Sequence, residues 1–490
     1  MADRLSELPD DVLLSILKRV DLRDAIRTAI LAKRWRHLPA ALPDIVLDVL
    51  SFRKKQDDDH QDGFTFTSRL SREARANLAV AHAAKAILAR RSGEHAIDRL
   101  LVRFYLRAES IGIVRSVDDA IASGRARFRE AAFDVRGEKR ALECTGRDTL
   151  ANGRRLASLV GGCPRAFAGL TRLRVESVTL RGSNDVANVL AACENLEILS
   201  LHSCDASAGS NVAALEMEHP RLVRLDVDAC DFETVDLKWL PRLVQVSNNI
   251  WFPSRTLPPL VFGHVPQLRT VILSTVGTVN YRTLKLSELL VNATGIRTLQ
   301  MIFESEKIWF QPESPKHLAP LLRNLRIACL DKIHKECDLI WTMFVLEAAP
   351  LLKELRISQF VVVRRVRVTE HSCGGLAAAD VMRKLLYCKK NNIEWHIYSD
   401  FKHYNLLLVT VVGFEIKDKF VKLIKRLAHA AVNLEDIHLE DEVKLLPNYV
   451  VSKYRQRERV NEEADQRGKI IANKNQYKVI TVFANALNCC

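Results

Sequence analysis

The side chains that do covalent or metal chemistry are numerous here, but nothing in their spacing groups them. Fourteen histidines and eleven cysteines are scattered through 490 residues. No H-E-x-x-H, C-x-x-C, G-x-S-x-G, P-loop or dinucleotide glycine fingerprint gathers them. An isolated histidine such as His219 or His264 caps a turn or faces solvent far more often than it binds a metal. The expectation is no catalytic residue, no metal and no cofactor. The cysteine number is odd, and Met1-Ala2-Asp3-Arg4 runs into an acidic stretch rather than an export signal. Free, buried thiols in a reducing compartment, cytoplasm or nucleus or both, are the expectation.

What remains is binding chemistry, and two sets of elements could position it. The first is residues 5 to 38. Pro9 precedes an acidic pair, Asp10-Asp11, which suits the positive end of a starting helix. Val12, Leu13, Ile16, Leu17 and Val20 then follow at three- and four-residue spacing, one broad apolar stripe. Asp21 reads as the cap of a second helix through Leu22, Ala25, Ile26, Ala29 and Ile30. After Leu31-Ala32, the basic and aromatic run Lys33-Arg34-Trp35-Arg36-His37-Leu38 reads as a short third helix. Three helices of this size cannot bury so many apolar side chains among themselves. A partner surface is needed to cover the remainder.

The order Leu8-Pro9-Asp10-Asp11-Val12-Leu13, then Ile16-Leu17, then Leu31 to Leu38 resembles the F-box of plant F-box proteins. The resemblance implies docking to a Skp-family adaptor that bridges to a cullin, with Leu8, Pro9, Val12, Leu13, Ile16, Leu17, Leu31 and Trp35 as the contacts. Ala32 departs from the motif, which usually has serine there.

The second set is a recurring L-x-x-L-x-L pattern. It runs Leu170-x-x-Leu173-x-Val175, Leu196-x-x-Leu199-x-Leu201, Leu222-x-x-Leu225-x-Val227 and Leu243-x-x-Val246. It continues as Leu268-x-x-Val271-x-Leu273, Ile296-x-x-Leu299-x-Met301, Leu322-x-x-Leu325-x-Ile327 and Leu352-x-x-Leu355-x-Ile357. From 173 the second apolar position recurs at steps of 26, 26, 21, 25, 28, 26 and 30 residues, a leucine-rich-repeat period. One repeat cannot bury its own face, so neighbours must stack. Cys204 and Cys230 stand three positions after the inward Leu201 and Val227, the asparagine-or-cysteine position of such repeats, and read as structural thiols. Val178, Leu330 and Phe360 take that position elsewhere.

Between these sets, residues 51 to 63 are polar and loop-like. An alanine-rich helix is expected from about Leu70 to Arg91 and a strand from Ile97 to Leu106. Near the C-terminal end, strand, helix and strand through Val409, Leu427 and Ile437 are similar to the FBD region of many plant F-box proteins. The interval from 355 to 409 leaves room for one degenerate rung. The expected fold class is α/β: a three-helix F-box followed by an irregular leucine-rich-repeat solenoid of parallel strands and returning helices. The expected domains are 1–50 F-box, 51–95 linker and helix, 96–390 repeats, 391–445 FBD-like terminal repeats and 446–490 basic tail.

The net charge of +14 raises nucleic-acid binding as an alternative. Residues 1–50 carry eight basic and eight acidic side chains, so the excess is spread thinly over the body without a dense block, which argues against nucleic acid as the main partner. No apolar run is long enough to span a bilayer. The resemblance implies a non-catalytic substrate-recognition subunit of a Skp-cullin-F-box ubiquitin ligase whose repeats bind a target protein. A non-degradative repeat scaffold is the other reading.

Overall fold

In the computed structural model the described residues are 8–20, 22–28, 35, 38–52, 71–91, 96–180, 182–208, 211, 212, 214–251, 257–275, 284–303, 308–311, 313–335, 337–360 and 401–440. The chain divides into two units, Met1–Ser247 with Gly263–Pro266, and Asn248–Phe262 with Gln267–Cys490.

In the first unit, alternation of apolar and polar residues produces short strands that pair in parallel. They are β1 (Asp44–Asp48), β2 (Ile97–Tyr105), β3 (Phe128–Arg136), β4 (Arg172–Glu176), β5 (Ile198–His202) and β6 (Arg224–Asp228), adjacent in that order. One register row crosses all six: Leu47, Val102, Phe133, Leu173, Leu199 and Leu225. Every member of the row is buried. Helices return the chain over this apolar face: α3 (Arg72–Leu88), α4 (Ser110–Ala122), α5 (Gly146–Gly162) and α7 (Gly182–Ala192). Phe104, Phe133 and Phe167 pack edge-on between sheet and helices.

The stacking begins earlier than the repeat pattern suggests. β1 lies inside the span 1–50 expected to be F-box and α3 is the helix expected within 51–95, and both pack with β2. One α3 side chain makes the attachment specific. Asn77, fully buried, donates to the Tyr105 carbonyl at 2.7 Å and accepts from the Tyr105 amide at 3.0 Å.

In the second unit the strands are β7 (Thr270–Thr275), β8 (Thr298–Phe303), β9 (Ile327–His334), β10 (Glu354–Phe360), β11 (Leu408–Val412) and β12 (Asp436–Glu440), again parallel. Their shared row is Val271, Leu299, Ala328, Leu355, Val409 and Ile437. Trp251, Phe303, Trp309, Phe310, Trp341 and Phe344 form a contiguous aromatic cluster beneath it.

Two sequence expectations are corrected here. The seventh rung is Leu325-x-x-Ala328-x-Leu330, not Leu322-x-x-Leu325-x-Ile327. Leu299 pairs with Ala328, and Ile327 is only half-buried while Ala328 and Leu330 are fully buried. An alanine at the inward position hid the true phase, and helix leucine Leu322 supplied a false one. Leu330 is accordingly a strand residue, and Ile333 takes the position that Cys204 takes in its own rung. The second correction concerns the degenerate rung between 355 and 409. β10 pairs directly with β11, Leu355 opposite Val409, so no strand intervenes; residues 361–400 lie outside the described residues.

A backbone feature recurs with the same period. Ser177, Ser203, Ala229, Ile250 and Lys332 all have φ between 50 and 57°, and Gly413 has φ 75°. Each stands four residues after the inward mark of its rung. At all of them but Lys332 the strand ends and the left-handed conformation makes the turn; Lys332 lies within β9, where the register to β10 shifts between Leu330 and Ile333. At Gly413 no other residue fits, because an added Cβ would lie 2.6 Å from the Gln359 carbonyl oxygen.

Candidate functional site

The N-terminal module is built on α1 (Asp10–Leu17) and α2 (Leu22–Arg27). Pro9 precedes α1 at φ −58°, and Asp10 and Asp11 occupy the first turn, where the helix dipole favours carboxylates. The apolar residues of α1 then separate by face. Leu13 and Leu17 are buried, 0% and 1% exposed, toward the single 3₁₀ turn Leu38–Ala41. Val12, Ile16 and Val20 are 38%, 38% and 44% exposed. They recur every four residues, Val12 and Ile16 on α1 and Val20 in the turn just beyond it, and form one uncovered row. Leu8 is half-buried and Pro9 exposed, at the head of that row.

The expected contact set therefore falls into two groups. Val12, Ile16 and Pro9 present surface, with Leu8 partly available. Leu13, Leu17 and Trp35, the last 5% exposed, are covered by this chain's own residues. Leu31 lies outside the described residues. The module is held against the first strands by Arg91, whose guanidinium donates to the carbonyls of Ala40 and Leu42, the latter at 3.0 Å. Burial lowers the Arg91 pKa from its ordinary value, though the group stays cationic.

Cys204 and Cys230 are 1% and 4% exposed and occupy the turn that follows each strand. The Cys204 thiol donates to the Val175 carbonyl at 3.6 Å and that of Cys230 to the Leu201 carbonyl at 3.5 Å, each reaching back one rung. The Cys204 amide donates to the Cys230 sulfur at 3.4 Å. Burial pushes the Cys230 thiol well above the usual range and raises Cys193 to about 12. Cys230 is therefore a neutral thiol filling its turn. The described cysteines are all free.

Three further sets of residues were not singled out from the sequence. The first is an asparagine ladder immediately before the opening leucine of a rung. Asn195, Asn324, Asn405 and Asn433 donate to the carbonyls of Ala168, Thr294, Pro350 and Tyr404, at 2.8–3.0 Å, each in the preceding rung. The signal was legible as the dipeptide Asn-Leu. Asn324-Leu325 would also have set the phase of the misread rung.

The second set is a pair of buried histidines. His219 Nε2–H donates to the Cys193 carbonyl at 3.0 Å while Nδ1 accepts from the Arg221 amide at 3.2 Å. His403 repeats the arrangement with the Ala349 carbonyl at 3.0 Å and the Leu406 amide at 3.0 Å. Burial lowers both pKa values, so both rings are neutral turn clamps.

The third set is a charge ladder on the open face of the first unit's sheet. Asp48, Arg103, Asp134 and Arg174 alternate in sign across β1 to β4, linked Arg103 to Asp48, Arg103 to Asp134 at 2.6 Å and Arg174 to Asp134 at 3.6 Å. Arg172 pairs with Glu130 in the adjacent row at 3.2 Å. The Arg136 and Arg103 guanidiniums outweigh burial and hold the Asp134 carboxyl below its ordinary value.

Among the described residues no group of His, Cys, Asp or Glu is placed to hold a metal ion. Nor is any described helix long and apolar enough to cross a membrane. The feature that stands out is the uncovered apolar row of α1, and residues 5–51 around it match the F-box domain. The chain carries an N-terminal F-box.

The chain is similar to a putative F-box/FBD/LRR-repeat protein of Arabidopsis thaliana, 30% identical over 230 residues, 46% of this chain and 47% of that one. A second F-box/FBD/LRR-repeat protein of that plant is 24% identical over 231 residues, again 46% and 47% of the two chains. The meiotic F-box protein MOF of Oryza sativa subsp. japonica is 47% identical over 51 residues, 10% of this chain and 11% of that one. The matched stretch spans about half the length of the longer-matching relatives. Each unit, with its parallel sheet and returning segments, is consistent with a leucine-rich-repeat-like α/β stack behind the F-box.

Proposed function

We propose that this chain is the substrate-recognition subunit of a Skp-cullin-F-box ubiquitin ligase. On this reading the F-box binds a Skp-family adaptor, the adaptor bridges to a cullin, and the repeats hold a target protein. The observation that carries it is the exposed row Val12, Ile16 and Val20, apolar surface left uncovered along α1 and the turn that follows it, while the other face of the helix is packed. Exposed side chains of this kind, contiguous on one helix, are what a groove in a partner takes up. Leu13, Leu17 and Trp35 act one step behind, fixing the helix so that the row is presented. No residue of this chain need do chemistry. Holding the target beside the conjugating enzyme raises the effective concentration of its lysines.

Affinity purification of the tagged chain from plant cells tests the reading. The adaptor and the cullin should both be recovered with the unaltered chain, and both should be lost with Val12→Asp/Ile16→Asp. Recovery of the adaptor without a cullin would instead favour the non-degradative scaffold.

A further inference from the structure

Within the first unit, the returning strand Leu215–Glu218 lies against α7 and leaves a groove of about 510 Å³ between them. It is lined by the apolar residues Ala187, Leu190, Ala191 and Pro220, of which Leu190 is buried, and by Glu194, Glu216 and Glu218. The rim is acidic in a chain whose net charge is +14. Glu216 is neutralised by Lys238 from the neighbouring strand Val235–Trp239, 2.6 Å away. Glu194 and Glu218 have no salt-bridge partner among the described residues, and both are exposed. At the base, His219 cannot compensate the rim. Both of its nitrogens are committed to backbone, and burial keeps the ring neutral.

An apolar lining beside Glu194 and Glu218, which share only the nearby Lys238 charge, selects a particular kind of side chain. Lysine and arginine have an aliphatic stem that packs on Leu190 and Ala187 while the cationic head stays at the wet rim. The ion pair of Lys238 with Glu216 shows an ammonium already accommodated on this rim. An acidic or uniformly apolar segment would leave Glu194 and Glu218 facing like charge or buried without a partner.

We infer that this groove is a docking site for a basic segment of the target protein, with leucine-like and lysine or arginine side chains interleaved. The inference rests on the substrate-recognition reading and names the chemistry of what is recognised. Charge complementarity of this kind contributes to encounter rate and to specificity as well as to affinity.

The experiment uses the full chain purified with its adaptor and a fluorescein-labelled peptide alternating leucine with lysine and arginine. The comparison peptide carries glutamate at every basic position. Anisotropy should show saturable binding of the basic peptide that weakens as salt is raised, and no binding of the acidic one. Glu194→Lys/Glu218→Lys should weaken the basic peptide at least ten-fold, and Glu194→Gln/Glu218→Gln by less. Both variants alter exposed side chains, so an unchanged melting curve is expected to accompany the loss. Equal binding of the two peptides, no binding of the basic one, or an affinity unmoved by charge reversal would each overturn the inference. Capture of the adaptor by the same samples keeps the readings apart. If it persists while the peptide fails to bind, the groove assignment falls and the F-box reading stands.

Discussion

At the scale of single residues, several buried polar side chains are fixed by matched hydrogen bonds to backbone. Asn77 and Tyr105 exchange two bonds inside the first unit. Replacing Asn77 by Ala removes both of these bonds from a buried site and should cost about 2–4 kcal/mol in chemical denaturation. The two buried histidines make a pH prediction. Their folded pKa values lie below the ordinary imidazole value because burial disfavours the cation. As the pH falls below about 6.5 the unfolded chain takes up the protons first, so stability is full above that pH and is drawn off below it. The melting temperature should therefore drop between about pH 7.5 and pH 5.5. In His219→Gln/His403→Gln that drop should be smaller, with a lower melting temperature at neutral pH from the lost clamps. A drop of unchanged size would show that other groups govern it.

At the scale of elements, the repeats were legible wherever a large apolar residue marked the inward position. Leu173, Leu199 and Leu225 fall in one register row as their spacing requires. The sequence misled where the inward residue was small. Ala328 is buried in that row, but alanine is common on any surface and carries little signal. β1 and β3 were missed for a different reason. Asp44–Asp48 follows the F-box motif without a break, and in β3 the pattern Ala131, Phe133, Val135 alternates with charged residues without an opening leucine. The recurring left-handed turn was invisible because it falls on serine, alanine and isoleucine as well as glycine. Nothing in those side chains announces positive φ. The turn can still be tested, since Ala229 has φ 51° and little side chain to lose. Ala229→Gly should relieve the Cβ clash and stabilise the fold by about 1 kcal/mol in chemical denaturation, less the extra entropy of glycine in the unfolded chain. A loss of 1 kcal/mol or more would mean that the turn is not strained at this position.

At the scale of the molecule, the F-box was read from the order of its motif residues, but their division of labour was not. One-dimensional spacing places Val12, Leu13, Ile16 and Leu17 on a single broad stripe. Only the packing of the 3₁₀ turn Leu38–Ala41 and of the first strands decides which half of the stripe is covered. Leu13→Ala should therefore lower the melting temperature, as removal of a buried leucine does at about 2–5 kcal/mol, and weaken partner binding only through that loss. Val12 and Ile16 should behave in the opposite way. Calorimetric titration of the chain with a purified Skp-family adaptor tests the central claim most directly. Val12→Ala/Ile16→Ala should leave the melting temperature within about a degree of the unaltered chain. The same change should weaken adaptor binding by about 2–4 kcal/mol, the scale of interface anchors. Adaptor affinity equal to that of the unaltered chain would contradict the account.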